Sequence, residues 1–597
     1  MKRLLVLTAL SVAALCGYTA NAAEEILPDN PAAPVFQSHQ KANAERVAAL
    51  LDGKGDLAFF SVPAMSEVKR LADRFPEDGQ FAKPVRIVAA RGEYEPGSFQ
   101  LFSLKDRQNV TFDVPALKSK NGAVLPASAI DMKVVKIWYQ CGNGWYSYFT
   151  DVGLRLCPEL LLHDENLIKV DTEKVANYAR VRKDGKDEYL WITTPTGMKS
   201  KFDEMQPGFE DAKTLQPVEL KKDQFKQFML TVGIPQNQRP GVYGGTITVK
   251  ENGTKIGEIP VRVCVLPFDL PTPRVYRNLD RVYLSSVMWK FSWNEYEKIY
   301  KDKKLAEQKY RELLADLKAH DLFYPNVDQD ERSIALLKTM GFPTDTLVAR
   351  YGTKMPWFHR FGGKLHYDER QVYKAAAKES SEFYKKALGH NNVLLSFGDE
   401  HGQAFVVMYR ELFAEYGKYG FSIGLAGHQP VYVKGGYCVG YHPFGGDPGD
   451  PSRTKKWADT ASDVHIGFYA MQHTGSENPA FIRRQNGLVS LFNDCTMSHN
   501  YEFAWSPWND RETNIYKPMV IAYRSYGGLV GTLQYEGFRE AIDDIRYISK
   551  LKLLVREAEK SGNHEAKLQA RKATQYLALL NPEECDQDQV RAEVIQY

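Results

Sequence analysis

Residues 393–402 read Val-Leu-Leu-Ser-Phe-Gly-Asp-Glu-His-Gly, an apolar run that stops at two adjacent carboxylates bracketed by glycines. It lies between a helical pattern over 373–388 and another over 405–416. An apolar run of this length between helices reads as a strand buried on both faces, which requires a parallel sheet covered by helices, so this part of the chain is committed to an α/β fold. In such folds the carboxyl ends of the strands carry the chemistry, which makes Asp399 and Glu400 candidates for acid/base work. The alternative is a loop of solvated acids, the commoner setting for an adjacent Asp-Glu pair.

At 597 residues the chain exceeds the roughly 250–300 at which a single core stops growing, so more than one domain is expected. Lys and Arg total 77 against 74 Asp and Glu, and the resulting net charge of +3 gives no electrostatic case for nucleic acid. Lys2 and Arg3, an apolar stretch over 4–16 and the small residues Ala20-Asn21-Ala22 read as a signal peptide over 1–22. The mature protein is therefore expected to be exported, to the periplasm or beyond. The competing reading, a lipoprotein anchored at Cys16, places Leu15 where such signals take a small residue. No later run approaches the ~18–20 apolar residues of a membrane span. Outside the leader, Cys141, Cys157, Cys264, Cys438, Cys495 and Cys585 are scattered, and spacing does not choose among their possible pairings. Without a paired Cys-x-x-Cys, neither a metal nor a cofactor is expected.

Residues 23–83, with helical patches over 44–51 and 65–75, read as a lead-in. From Pro84 the period changes to two: Val85, Ile87 and Ala89, then Phe99 and Leu101, then Val110, Phe112 and Val114 alternate with polar residues, as in strands with one buried face. Asn252-Gly253 between the apolar runs 246–249 and 259–265 is a hairpin signal. Pro267, Pro271 and Pro273 then deny a continuing sheet its donors, placing a domain boundary near 272. The reading is a β-sandwich over 84–271. Trp138, Tyr139, Trp145 and Tyr146 within it read as packing at a sandwich edge or domain interface.

After Pro273 strands and helices alternate. Tyr310, Leu313, Leu314 and Leu317 mark one face of a helix. Strand candidates are 282–284, 322–324, 347–349, 393–399, 423–425, 464–469, 488–491 and 501–505. Eight in this length predict a (β/α)8 TIM-like barrel over 272–550, with an open doubly wound sheet as the fallback because no Gly-x-Gly-x-x-Gly opens a helix. A helical segment follows over 551–597, and a helix over 540–580 is expected to break at Ser561-Gly562-Asn563 through a glycine cap. The fold class is thus multidomain β plus α/β: an N-terminal β-sandwich, then a barrel, then C-terminal helices.

Gly398-Asp399-Glu400, the run 501–505 with Trp508, and the helix 538–548 resemble the catalytic domain of glycoside hydrolase family 123. The upstream runs 90–96 and 240–246 are similar to the N-terminal domain that precedes it. The resemblance spans most of 84–555. It implies a β-N-acetylgalactosaminidase acting by substrate-assisted catalysis on a glycan or glycoconjugate. Glu400 would be the general acid that protonates the leaving oxygen and then the base that activates water. Asp399 would hold the 2-acetamido N–H while the substrate's own carbonyl attacks C1. Conventional pairs act across ~5–5.5 Å or ~6.5–9.5 Å, usually from different strands, whereas neighbours suit an acid beside an acetamido orienter. Two close carboxylates also raise one pKa, which helps keep Glu400 protonated.

A sugar site also needs an aromatic floor and polar clamps. Tyr469, Trp505 and Trp508 stand at or just past strand ends, with Trp508, beside Pro507 and Asn509, expected on the surface. His401 and His473 are candidate hydrogen-bonding groups, as are His428 and His442, each weighed against a purely structural histidine. Arg539 and Glu540 read as a helix-anchoring ion pair. Two other functions stay open: conventional hydrolysis, with Asp494 or Glu502 as second carboxylate across the cleft, and non-catalytic glycan binding.

Overall fold

The computed structural model describes residues 34–141, 154–192, 202–287, 292–350, 367–399, 413–426, 438–441, 465–470, 478–501, 503–504, 508 and 520–597, and for some of these, Arg350, Asp399 and Tyr469 among them, the backbone alone.

The first half is built on two packed sheets. One has six strands in the order Gln80–Phe81, Leu57–Val62, Tyr94–Ser103, Phe225–Gly233, Ile130–Cys141 and Leu154–Leu162. The other runs Val218–Leu220, Arg107–Asp113, Gly241–Glu251, Thr254–Asp269 and Val85–Arg91. Alternate residues of both, Phe99, Leu101, Phe228 and Leu230 against Val110, Ile247, Val261 and Val263, share one buried cluster. The hairpin turn is the expected one: Glu251 pairs with Thr254, and Asn252 and Gly253 take φ of 49° and 80°, the doubly left-handed turn that matches strand twist.

Two expectations fail before residue 84. Leu57–Val62 pairs along its whole length with Tyr94–Ser103, so this segment belongs to the sheet and is no mere lead-in. The helix predicted over 65–75 is absent; the Ala72 carbonyl accepts from Phe225 N at 2.8 Å and Phe75 packs edge-on against Phe60 at 5.4 Å. Tertiary contacts there take the groups a helix would have used. The helix Pro34–Leu51, longer than the predicted patch, does form.

The second half is a seven-stranded parallel sheet in the order Leu284–Val287, Met497–Tyr501, Ile466–Ala470, Cys438–Tyr441, Ser422–Ala426, Val393–Asp399 and Leu347–Arg350. Apart from the first strand, which lies beside the last, neighbours follow chain order, the connectivity of strands separated by helical crossovers. If flat, seven strands at ~4.8 Å would hold the two edges roughly 29 Å apart. Instead Leu284 of one edge and Val348 of the other share a buried cluster with Tyr324, Leu394 and Met497. The sheet is rolled. Segment 322–327 touches both edges: Tyr324 N donates to Ser285 O at 3.0 Å, and Val327 N to Val348 O at 3.1 Å.

Lys303–Ala319 is helical as predicted, capped by Asp302 and burying Tyr310, Leu313, Leu314 and Leu317. Where eight strands were expected, the described residues form seven, and four assignments change, the first being 322–324, which forms no strand but lies as irregular backbone between the two edges. The run 488–491 is helical: Pro479–Arg484 passes through a wide turn, Gln485–Val489, into Ser490–Phe492. Gly487 allows the close approach, since a Cβ there would lie 3.1 Å from Ala541 Cα. The last strand is Met497–Tyr501 rather than 501–505, and Cys438–Tyr441 is a strand not foreseen.

Three helices end the chain: Leu533–Lys560, His564–Leu579 and Gln587–Gln596. The break after Lys560 comes from an extended Ser561 and from Asn563, whose side chain accepts from Ala566 N at 3.1 Å, rather than from a left-handed glycine. The halves interlock. Trp508, Val520, Tyr523 and Val530 lie in the same buried cluster as the sandwich core. Tyr547 donates to Glu93 at 2.8 Å, and Arg591 bridges Glu95 at 2.9 Å and Glu540 at 2.7 Å. The conspicuous runs 90–96 and 538–548 thus meet in one buried ion network, in which Arg539 and Glu540 form the expected ion pair at 3.5 Å. Among the described residues no disulfide joins Cys157, Cys264, Cys495 or Cys585. No described helix is long and apolar enough to cross a membrane.

Candidate functional site

Because all strands of the second sheet are parallel, their carboxyl ends, Val287, Arg350, Asp399, Ala426, Tyr441, Ala470 and Tyr501, open on one side. Along each strand the two faces are distinct. Tyr283, Val287, Leu347, Ala349, Val393, Leu395 and Ile423 pack against the helices, while Leu284, Val348, Leu394 and Met497 fill the opposite, inner face. Gly467 is part of that filling, since a Cβ there would fall 2.3 Å from Met497 Cγ.

Asp399 ends the strand Val393–Asp399 and pairs in register with Ala426. The register shifts between Ser396 and Gly398. A bulge of this kind moves the period-two pattern by one residue, which puts position 399 in phase with Leu394 on the inner face rather than with Leu395. Tyr469 is the penultimate residue of Ile466–Ala470, near the same rim. Glu400, His401, His473 and Trp505 lie outside the described residues, as do His428, His442 and Glu502.

Sequence reasoning missed the polar step of the inner face. Two residues along from Leu284, Tyr324 and Met497 toward the carboxyl ends come Ser286, Asn326 and His499. They are 0%, 1% and 9% exposed, and Ser286 pairs with His499 in register. Among the described residues, Ser286 Oγ, Asn326 Oδ1 and His499 Nδ1 have no hydrogen-bond partner. Burial alone pushes the His499 imidazole down to about 4, so the ring is neutral at physiological pH. The signal was present as polar residues inside two short strands, Ser285-Ser286 in Leu284–Val287 and Ser498-His499-Asn500 in Met497–Tyr501.

Two candidates are relocated. Trp508 is 2% exposed, contrary to expectation: its indole N–H donates to Arg524 O at 2.6 Å and its ring packs edge-on against Trp138 and Phe209. Flanking Pro507 and Asn509 suggested a surface turn, but the sandwich supplies the apolar wall. Asp494 precedes the strand Met497–Tyr501, so it stands at the amino ends, and it pairs there with Arg277 at 2.8 Å. It does not face the carboxyl-end rim. Among the described residues no cluster of His, Cys, Asp or Glu is arranged to hold a metal ion.

No family model matches this chain, and no curated protein matches it. Among solved structures it is similar to a family 123 glycoside hydrolase from Clostridium perfringens, described for glycolipid glycan hydrolysis, with 11% identity, a TM-score of 0.57, and coverage of 88% of this chain and 92% of that one. A family 5 xyloglucanase from Bacteroides ovatus is similar at 8% identity and a TM-score of 0.29, over 77% of this chain and 98% of that one. The first likeness establishes a shared fold. No weight rests on the second.

Proposed function

We propose that the chain is an exported glycoside hydrolase that releases β-linked N-acetylhexosamine, N-acetylgalactosamine foremost, from glycans or glycoconjugates. The observation that carries this is the position of Asp399: it closes a parallel strand at the carboxyl-end rim, brought by a bulge into phase with the inner face and next in sequence to Glu400. The shared fold with a family 123 hydrolase supports it, as does the leader-like run 1–22 for export. In this reading segment 322–327 completes the rolled sheet as an eighth, irregular strand, giving a (β/α)8 barrel whose mouth holds the site.

In the first step the substrate's acetamido oxygen attacks C1, the glycosidic C–O bond breaks, and Glu400 gives its proton to the departing oxygen. Asp399 accepts a hydrogen bond from the acetamido N–H and balances the charge of the oxazolinium ion. In the second step Glu400 takes a proton from water, whose oxygen attacks C1, and the ring opens to the β-configured sugar. Tyr469 and Trp505 supply ring faces, and His401 and His473 polar contacts; Trp508 acts through packing.

Leaving-group dependence tests the division of labour. Glu400→Gln is expected to lose about 10²–10⁴-fold on alkyl glycosides and far less on nitrophenyl glycosides, whose leaving groups need no proton. Asp399→Asn is expected to lose on both. Equal losses for Glu400→Gln across leaving groups would contradict the acid role.

A further inference from the structure

The polar step beneath the rim carries an inference of its own. We propose that Ser286, Asn326 and His499 form the floor of the sugar site and bind the uncharged hydroxyl or amide groups of the ring on which the carboxylates act. This rests on the hydrolase reading above and specifies the class of sugar.

Each of the three side chains is at least nine-tenths buried, each has a polar atom without a partner, and all follow the apolar filling by one inward-facing position. A buried polar atom without a partner is costly, and an interior serving only stability would carry apolar groups at these positions. Tyr324, whose hydroxyl also lacks a partner, is different: the charges that act on it are those of Asp345 and Arg274, which precede the strand region at the amino ends. The other three stand one inward-facing position nearer the carboxyl-end rim than Leu284, Tyr324 and Met497.

Their chemistry selects the ligand. The Ser286 hydroxyl proton needs an acceptor, Asn326 Oδ1 needs a donor, and Nδ1 of neutral His499 serves as one or the other according to its tautomer. A sugar hydroxyl is donor and acceptor at once and can meet all three. A ring carrying carboxylate or phosphate would set further acceptors against Asn326 Oδ1 and find no charge on these three residues to balance its own. The floor therefore fits a neutral hexose or N-acetylhexosamine and disfavours a uronic acid.

The test is calorimetric titration of the mature full chain, and of Ser286→Ala, Asn326→Ala and His499→Phe, with N-acetylgalactosamine, galactose and galacturonate, alongside thermal melting and nitrophenyl glycoside assays. Expected are binding of the two neutral sugars, galacturonate at least about ten-fold weaker, and losses of up to about ten-fold in affinity for each variant. The melting temperature of Ser286→Ala should not fall, because no existing hydrogen bond is removed. Unchanged sugar affinity in Ser286→Ala and His499→Phe, a wild type that binds none of the three sugars, or one that binds galacturonate as tightly as galactose would each overturn the floor. Should the predicted binding pattern hold while no glycoside is cleaved, the hydrolase reading falls and the floor stands. Should glycosides be cleaved with variant affinities intact, the reverse follows.

Discussion

Trp508 and Trp138 meet edge to face across the boundary between the sandwich and the parallel sheet, with ring centroids 5.7 Å apart and planes at 71°. Trp508 follows the last sheet strand by a few residues, so the sandwich holds the chain just beyond the rim where the candidate site lies. The second half is therefore not packed independently of the first. Its last strand-to-helix connection is anchored in the other domain's core.

Removing that anchor should cost stability on the scale of a buried aromatic. Trp508→Ala is expected to lower unfolding free energy by about 3–5 kcal/mol, with Trp508→Phe recovering part of it. Urea denaturation measures both; a loss under 1 kcal/mol for the alanine variant would show that the ring is not packed as described.

Asp494→Asn separates the two-carboxylate mechanism from the one proposed. Asp494 has φ of 61°, a conformation asparagine tolerates, and it pairs with Arg277 at the amino ends of the sheet. Its kcat should stay within about three-fold of wild type, whereas a catalytic carboxylate would lose about 10²-fold or more. Steady-state rates on an aryl N-acetylgalactosaminide decide it.

Gly467→Ala tests the filling of the inner face. The added Cβ would meet Met497 Cγ at 2.3 Å and Met497 O at 2.9 Å, and the second atom is backbone that cannot swing away. A destabilisation of about 1–3 kcal/mol is expected, only partly relieved by adding Met497→Ala. A neutral result in denaturant would place Gly467 elsewhere.

Two buried groups give opposite pH signatures. Burial pushes the Glu93 carboxyl up to about 7, opposed by Arg591, the Ala90 N–H and Arg546 and reinforced by Glu540. The folded chain keeps a proton that the unfolded chain releases from about 4.5, so this contribution is full below 4.5 and is lost as pH rises through 7. His499 does the reverse: its pKa falls from 6.5 to about 4 on burial, so its contribution is present above 6.5 and is lost as pH falls through 4. Glu93→Gln should flatten the decline toward pH 8, and His499→Phe the decline toward pH 4, in urea midpoints taken across that range. Unaltered profiles would contradict both placements.

Much of the scaffold was legible because local chemistry and tertiary role agree. Asn252-Gly253 forms its turn, Tyr310 to Leu317 mark a buried helix face, and Val393–Asp399 is a strand whose Val393, Leu394 and Leu395 are buried. The failures came where tertiary context overrides pattern. Residues 488–491 are buried on every side, three of the four apolar, and a short window cannot tell such a helix from a strand. Cys438–Tyr441 lies in a glycine-rich run with no period to read. Trp508 is buried by Trp138 and Phe209, which lie far earlier in the chain. The carboxylate pair stood out because charge ends an apolar run. Ser286, Asn326 and His499 did not, since polar residues in short segments look ordinary until two strands and the segment 322–327 bring theirs together.

The most direct test of the central claim is the initial rate of the purified mature protein on nitrophenyl β-N-acetylgalactosaminide compared with nitrophenyl β-galactoside. The account predicts hydrolysis of the first, at least about 10²-fold slower hydrolysis of the second, and loss of the first in Asp399→Asn. Equal rates on the two substrates, or full activity in Asp399→Asn, would contradict it.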